Sequence, residues 1–534
     1  MISRFFSPPR LAVGAAIALV LAVVLLQIES GAYRSDFDAN DDEPGHVVSS
    51  LMIRDYFASG WHVSPLRFAE EYYIHYPRVA IGHWPPGFHS CEAVWMLAFG
   101  RNRTAMLSFV AAAEAALILS VFVWLRRRCG MWIAFVSASV LATARCMQVA
   151  TAAVTPDILL ALLIFWVTVM YARYCRTGQR RDLWWAAILG VLALGIHGRA
   201  AILLLLPSAA ALLGKRFTKF HIALIVPLLL ILVFVPSFLG QAGRPHVASS
   251  GRHALLFVIE SFRAVGWPIM CVAIIGLAGG LAGFLRLGSI HPEWTTVGPE
   301  WTTAGALLVA GLVFYTVVHV PLQASYLVAT TPAAVALFAF GWQSIEMRYR
   351  THARLINGFM AVLALSTIGF HLLPPVRMPD LGARQVVLRL SSLEPPSRVW
   401  LVAGSALFEG AIIAETAITE RSTHIVLRSS KVLARSTWSG TYYRTRFSGI
   451  DEIDAYLDSV HARWIIVEAA QERPDVRQLA SVMEAHPLKW SERTDLALPP
   501  NVRLFERKGE MPSGPLEIHL DMRDKLGSIL SLRE

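Results

Sequence analysis

The chain has 534 residues, of which 55% are hydrophobic and 16% are charged, and its mean hydropathy is +0.50. This composition excludes an ordinary soluble globular protein and is typical of a polytopic membrane protein. The net charge of +10 does not indicate nucleic-acid binding, because the Arg and Lys residues form short clusters between apolar runs. The cysteines form no CxxC pair and no zinc-type spacing, so we expect them to be small core residues.

The first predicted element is the apolar run Leu11–Ile28, which is long enough to cross a bilayer. Arg4 and Arg10 precede it, and no clear small-residue cleavage site follows it. The pattern therefore predicts an uncleaved signal anchor rather than a removed signal peptide.

An acidic segment, residues 36–43, follows the first span directly and contains Asp36, Asp38, Asp41, Asp42 and Glu43. Such a segment is often only a solvated loop. Here the downstream chain returns polar groups to the same side of the membrane several times, which favours a functional role.

Residues 29–103 form a long polar segment. It contains an amphipathic helix candidate at Val47–Phe57, and the residues His83-Trp84-Pro85-Pro86-Gly87 open an apolar helix. Proline is tolerated in the first turn of a helix, and Trp is common at membrane interfaces. We therefore expect short interfacial helices in this first outer loop.

Ten further membrane spans are predicted from the apolar runs, which makes about eleven with the first. They are Thr104–Leu125, Met131–Ala150, Asp157–Tyr174, Leu183–Ile196, Ala200–Leu213, Phe220–Leu239, Val265–Leu285, Ala304–Val320, Leu322–Trp342 and Leu355–Leu373.

The distribution of basic residues orients these spans. With the N-terminus in the cytoplasm, sixteen Arg and Lys residues fall in cytoplasmic segments and four fall in the short outer loops. An odd number of spans then sends the C-terminus to the outer face.

The composition changes near Pro374, where Pro374-Pro375 and Pro395-Pro396 predict a linker. Buried strands are predicted at residues 398–404 and 463–467, and helices at Leu407–Thr419 and Asp451–His461. Residues 385–510 therefore look like a small soluble α/β domain on the outer face, followed by a polar tail at 511–534. The run Gly404–Leu407 follows a strand but has no GxGxxG pattern, so it is a weak candidate for a nucleotide site.

The predicted topology collects several polar residues at the outer face. Asp157 opens an apolar helix, where it could serve as a plain N-terminal cap or shape a site. Arg199 could extend to the interface or bind a phosphate. His197 alone would more often be structural, and Arg244 lies in a basic loop that suits a phosphate headgroup or an ordinary interface.

An outward-facing site with carboxylates and cations fits sugar transfer. A carboxylate can remove the proton from an acceptor hydroxyl or amine that attacks a sugar carbon. The negative charge that develops on a phosphate leaving group requires Arg, Lys or a metal.

The sequence resembles the GT-C superfamily of integral-membrane glycosyltransferases over residues 10 to 375. It is most similar to the bacterial branch related to protein O-mannosyltransferases and lipid A aminoarabinose transferases. The motifs that carry the resemblance are Asp42-Glu43, Trp84-Pro85-Pro86-Gly87, Thr155–Leu160, Gly190–Pro207, and Ser325-Tyr326-Leu327 followed by Pro332.

The resemblance implies that Asp42 is the catalytic base and that Glu43 and Asp157 orient the acceptor or the site. From the positions of these residues we also expect Arg199, with His197 and Arg244, to contact the donor phosphate, and His83, Trp84 and Tyr326 to shape the acceptor site. Arg199 stands where the family commonly has Lys, His46 lies where an aromatic residue is usual, and Ser325 replaces an Arg.

These observations predict an all-α polytopic membrane domain, residues 1–375, with a small C-terminal α/β domain. The expected activity is transfer of a sugar from a polyprenyl-phosphate donor to a lipid, glycan or protein acceptor in a bacterial cytoplasmic membrane. No cofactor is assigned; the carboxylates leave room for a divalent metal, although the resembling enzymes do not generally require one. The alternatives are a transporter or flippase for lipid-linked sugars and a degenerate relative that scaffolds an assembly.

Overall fold

The computed structural model describes residues 9–214, 250–275, 298–317, 323–393, 398–419, 424–436, 443–469, 471–522 and 528–533. It divides the chain into two compact units. The first unit contains residues 1–30, 108–152 and 156–377, and the second contains residues 31–107, 153–155 and 378–534.

The described helices are α1 Pro9–Glu29, α2 Glu43–Ala58, α3 Pro65–His75, α4 Gly87–Phe99, α5 Arg103–Cys129, α6 Met131–Thr143, α7 Arg145–Thr151, α8 Asp157–Thr177, α9 Arg180–Ile196, α10 Ile202–Gly214, α11 Ser250–Val265, α12 Trp267–Ile275, α13 Gly298–Val317, α14 Thr331–Arg348, α15 Ala353–Leu372, α16 Ala383–Ser391, α17 Ala406–Thr419, α18 Ser429–Val432, α19 Ile450–Ser459 and α20 Pro474–Ala485. The strands are β1 Val399–Ala403, β2 Ile425–Arg428, β3 Ala434–Arg435, β4 Arg444–Thr445, β5 Trp464–Glu468, β6 Trp490–Glu492, β7 Val502–Arg507, β8 Glu517–Met522 and β9 Ser528–Arg533.

The first unit is a bundle of apolar helices. Among the described residues, five helices are long and apolar enough to span a membrane, namely α1, α5, α8, α13 and α15. The count rises to seven if the bent pairs α6–α7 and α11–α12 are each one span. The predicted polytopic helical domain is therefore confirmed, whereas the count of eleven stays a prediction. The predicted span Phe220–Leu239 lies outside the described residues.

Three predicted spans differ from single straight helices in the part of the chain that the structure describes. Met131–Ala150 bends by 58° between α6 and α7. The segment predicted to begin at Val265 is instead the second part of a pair that bends by 111° at Gly266, whose φ of +96° favours glycine. The predicted helix Leu322–Trp342 is also interrupted, because a 3₁₀ turn at Ala324–Leu327 precedes α14 and Pro332 lies in its first turn.

The second unit begins with three short helices, α2, α3 and α4, in the segment for which short helices were expected. Local side chains start two of them. The Asn40 Oδ1 atom accepts hydrogen bonds from the amides of Asp42 and Glu43 at 2.9 and 3.0 Å, and Ser64 caps α3 before Pro65.

The C-terminal part of the second unit confirms the predicted small α/β domain. Its five-stranded sheet has the order β2-β1-β5-β7-β6, with β2, β1 and β5 parallel and β7 and β6 antiparallel. Every residue of β1 and β5 is buried, which agrees with the apolar runs 399–403 and 464–467.

A buried carboxylate occupies the carboxyl edge of the parallel strands. Glu409 of α17 accepts hydrogen bonds from the Arg428 Nε atom at 3.1 Å and the Ser430 amide at 3.1 Å. The Arg473 guanidinium lies 3.2 Å from the same carboxylate. Burial acts to raise the pKa of Glu409, but the charges of Arg428 and Arg473 hold it below its usual value.

The segment described from the sequence as a polar tail contains a β-hairpin. Strands β8 and β9 pair antiparallel, and Ile518, Leu520 and Met522 alternate as the buried side chains of β8. This short alternation follows the two-residue period of a strand, which a composition-based reading of the tail does not detect.

Candidate functional site

The acidic segment 36–43 lies in the second unit, and two of its carboxylates form bonds with backbone amides. The Asp36 carboxylate accepts hydrogen bonds from the amides of Ala383 and Arg384, at 2.6 and 2.9 Å. It therefore caps the N-terminus of α16, where a negative charge also interacts favourably with the helix dipole.

Glu43 is the second of these carboxylates. Its Oε1 atom accepts from the Val154 amide and its Oε2 atom from the Ala39 amide, both at 2.8 Å. Its side chain is buried, and burial raises the pKa of Glu43 to about 7 although both amides lower it. Glu43 thus holds the acidic segment against residues that precede Asp157 by only a few positions in the chain.

Two other carboxylates of the segment are also in unfavourable electrostatic surroundings. Burial, followed by the charges of Asp36 and Glu43, raises the pKa of Asp38 to about 7, while the Leu381 amide lowers it. Burial also raises the pKa of Asp41.

Arg78 secures the segment from another direction. Its guanidinium, which is fully buried, donates a hydrogen bond to the carbonyl oxygen of Asp41. Burial, followed by the charge of Arg428, lowers the pKa of Arg78 to about 9, whereas the negative charge of Asp42 raises it.

Asp42 differs from its neighbours. It stands at the N-cap position of α2 and is half-buried, but its side chain makes no capping hydrogen bond because Asn40 already binds the first amides. Its carbonyl oxygen accepts a hydrogen bond from the His46 amide at 3.0 Å, which belongs to the first turn of α2. The role of Asp42 as the base stays a prediction.

Aromatic and imidazole rings pack beside α2. The His46 ring stacks on Trp84 with 3.9 Å between centroids, and its Nδ1 atom lies 3.0 Å from His89 Nε2. His83 is exposed and meets the edge of Trp84 at 4.8 Å. His46 stands where an aromatic residue was expected from the resemblance. By stacking on Trp84 it makes the ring contact that an aromatic residue would make there.

Three buried groups near these rings were not predicted from the sequence. Burial lowers the pKa of His89 to about 4 and raises the pKa of Glu92 to about 8, and Glu92 accepts a hydrogen bond from Ser50 Oγ at 2.5 Å. In the sequence, Ser50 of α2 and His89 and Glu92 of α4 look like ordinary helix residues. Only the packing of the two helices shows that these polar side chains are buried together.

The first unit brings together four of the predicted site residues. The Asp157 Oδ1 atom lies 2.5 Å from Arg199 Nη1, and both side chains are largely buried. The Arg199 guanidinium also lies over the Tyr326 ring, 4.4 Å from its centroid. We call Asp157, His197, Arg199, Tyr315 and Tyr326 the Arg199 cluster.

Hydrogen bonds fix the remaining members of the Arg199 cluster. His197 Nδ1 accepts from the Arg199 amide at 3.0 Å and lies 3.3 Å from Arg199 Nε, so this nitrogen carries no proton. The Tyr315 hydroxyl donates to the Tyr326 carbonyl at 3.0 Å, and the two rings stack. Sequence spacing gave no sign of Tyr315.

Arg244 lies outside the described residues, so its predicted phosphate contact is not described. Among the residues that the structure describes, no group of three or more His, Cys, Asp or Glu side chains is arranged to hold a metal ion.

Comparisons with known proteins identify a family model and solved structures that resemble this chain. The family model for dolichyl-phosphate-mannose-protein mannosyltransferase matches residues 83–239. The structure is similar to ArnT from Cupriavidus metallidurans, with a TM-score of 0.55 for the form bound to undecaprenyl phosphate and 0.58 for the apo form. In both alignments the identity is 14%, and 94% of this chain and 99% of ArnT are covered. The chain therefore shares the overall fold of ArnT.

A second GT-C structure is also similar. The apo oligosaccharyltransferase of Archaeoglobus fulgidus aligns with a TM-score of 0.53 and 10% identity, covering 92% of this chain and 75% of that one. A comparison with curated protein sequences finds no match. The predicted resemblance to the GT-C superfamily is confirmed at the level of the fold.

Proposed function

We propose that this protein is a glycosyltransferase that moves a hexosyl or pentosyl group from a polyprenyl-phosphate donor to a lipid, glycan or protein acceptor. The observation that carries the proposal is the GT-C fold, which extends over nearly the whole of this chain and of ArnT. The match of residues 83–239 to a mannosyltransferase family model supports the same reaction class.

Asp42 is the proposed general base. Its carboxylate takes the proton from the acceptor hydroxyl or amine as that atom attacks the anomeric carbon. The new bond forms on the face opposite the phosphate, so the configuration inverts. Glu43 accepts hydrogen bonds from the amides of Val154 and Ala39. These bonds hold the acidic segment, and with it the neighbouring Asp42, in a fixed position.

The bond between the anomeric carbon and the phosphate oxygen breaks in the same step, and polyprenyl phosphate leaves as an anion. Arg199 is the proposed group that stabilises this charge. It is already ion-paired with Asp157, which holds its guanidinium over Tyr326, and its remaining N–H groups can bind phosphate. His83, Trp84 and Tyr326 are the proposed acceptor-side contacts.

The proposed location is a bacterial cytoplasmic membrane, with the N-terminus in the cytoplasm and the acidic segment and C-terminal domain outside. The bias of Arg and Lys among the apolar runs supports this orientation.

The direct test is release of free polyprenyl phosphate from a panel of undecaprenyl-phosphate sugars by the full-length protein in lipid discs, with cell-envelope extract as acceptor. Asp42→Asn removes the base while keeping the shape of the side chain. We expect at least a hundredfold slower release, in line with the usual contribution of a positioned base.

Asp41→Asn is the matched control, because it makes the same change one residue earlier and spares the carbonyl group that Arg78 binds. We expect it to keep most of the activity. Normal release by Asp42→Asn together with loss of release by Asp41→Asn would identify Asp41, and not Asp42, as the general base. Binding of the donor by wild type without release would favour a carrier or a scaffold.

A further inference from the structure

A cavity lies where α5 and α8 end, in the first unit. Its volume is about 600 Å³. Among the described residues, its rim contains Arg127 and Arg128 from α5 and Arg173 and Arg176 from α8. None of these residues is part of the proposed catalytic machinery.

Nearby carboxylates only partly balance these arginines. Glu300 of α13 lies 3.0 Å from Arg128 and 2.6 Å from Arg176, so one carboxylate serves two guanidinium groups. Arg173 pairs with Asp182 at 3.1 Å. Among the residues that the structure describes, four guanidinium groups therefore face two carboxylates, which leaves a positive excess at the cavity.

Arg127 makes no ion pair or side-chain hydrogen bond with any residue that the structure describes, although it lines the cavity. An unpaired guanidinium is suited to bidentate binding of a phosphate group.

The rest of the cavity is apolar and aromatic. Val123, Val169 and Met170 contribute hydrocarbon surface, and Trp124 and Trp166 contribute rings. Arg128 covers the Trp124 ring at 4.7 Å, and the Trp166 indole donates to Ser120 at 3.2 Å. The lining is cationic at the ends of the helices and apolar toward their middle. A lipid shows the same order, from its charged headgroup to its hydrocarbon chains.

This cavity is far from the Arg199 cluster. Asp157 begins α8 and Arg176 lies near its end, so the rise of a helix separates them by about 29 Å, close to the thickness of the hydrocarbon core. The arginine-rich end is also the one that the positive-inside rule assigns to the cytoplasm.

We propose that the cavity between the ends of α5 and α8 binds the phosphate headgroup of an anionic phospholipid of the cytoplasmic leaflet. The arginines bind the phosphate, and the acyl chains lie along the apolar wall. Basic pockets between membrane helices on the cytoplasmic side are suited to such headgroups. This inference does not depend on the identity of the sugar donor.

The test uses the full-length protein, delipidated in neutral detergent and titrated with phosphatidylglycerol or phosphatidylcholine, with lipid-bound species counted by native mass spectrometry. We expect a saturable site that prefers phosphatidylglycerol. Arg127→Gln should weaken that site about fivefold, the effect of one basic residue at a lipid surface. Arg127→Lys should retain part of the affinity.

Arg126→Gln is the matched control, since it removes the same charge from the adjacent position of α5 without touching the cavity lining. Equal weakening by both variants would show a diffuse surface charge and overturn the proposal. So would equal binding of the two lipids. Displacement by millimolar inorganic phosphate would assign the site to a soluble anion instead of a lipid.

Discussion

At the scale of single residues, the acidic segment shows how one sequence motif divides into different physical roles. Asp36 and Glu43 bind backbone amides, and Asp38 is buried beside both of them. Burial of these carboxylates close together is unfavourable for folding, because like charges repel one another in a buried environment. The sequence could not separate these roles, since five similar carboxylates in eight positions look alike until their partners are known.

Asp38 makes stability depend on pH. Its folded-state pKa of about 7 exceeds the ordinary value of 3.8, so the folded protein binds more protons than the unfolded chain between these values. The free energy of unfolding contributed by Asp38 therefore falls as pH rises through this window, by up to about 1.4 kcal/mol per pH unit. We expect the melting temperature of the wild type to fall between about pH 4 and 7, and to fall less in Asp38→Asn.

The measurement is thermal unfolding in detergent, followed by tryptophan fluorescence at several pH values. Asp451→Asn serves as control, because this side chain is exposed at the start of α19. An unchanged pH dependence in Asp38→Asn would show that its carboxyl group is already ionised in the folded protein.

At the scale of elements, α2 and α17 approach closely at one glycine. A Cβ atom added at Gly410 would lie 2.9 Å from Pro44 Cγ and 3.1 Å from Pro44 Cβ. A proline ring cannot rotate away, so a larger residue must push the helices apart. Because Pro44 follows Glu43 directly, such a shift would also displace the acidic segment.

Gly410→Ala should therefore lower the free energy of unfolding by about 1–3 kcal/mol, the usual cost of overpacking. Transfer activity should fall as well, although Gly410 takes no part in the reaction. Gly449→Ala is the control, because nothing lies within 4 Å of its added Cβ and its φ of −128° suits alanine. Equal stability and activity in the two variants would contradict the close approach.

Buried charge also joins α5 to α17. Arg103 pairs with Glu415, and its guanidinium stacks on Phe37 at 3.7 Å. Arg101 donates to the carbonyl oxygens of Ala417 and Ile418 at the end of α17. These contacts explain why residues 31–107 group with residues 378–534.

At the scale of the whole molecule, the second unit is discontinuous in sequence. We expect a chain truncated after residue 377 to lose transfer activity completely, because Asp36, Pro44 and Arg103 lose their partners. Limited proteolysis should then cut residues 31–107 much faster than in the full chain. Removal of residues 511–534 alone is the milder comparison, and activity that survives the longer truncation would disprove the dependence.

The sequence predicted the helical membrane domain, the small α/β domain and several strand and helix positions, because apolar periodicity determines these locally. It could not predict that Glu43 binds the Val154 amide or that Arg199 pairs with Asp157, since such contacts depend on how distant segments pack. It also missed the bends at Ala144 and Gly266, because the angle between two successive helices depends on packing and not on local apolar periodicity.

The position of Glu409 gives the C-terminal domain an internal counter-ion. In many parallel α/β sheets the carboxyl edge receives a phosphate from a dissolved nucleotide. Here Arg428, Arg473 and the Ser430 amide bind a carboxylate of the chain itself, and the Ser405 amide donates to Glu468 at 2.6 Å. At this edge of the sheet two guanidinium groups of the domain therefore neutralise a carboxylate of the same domain.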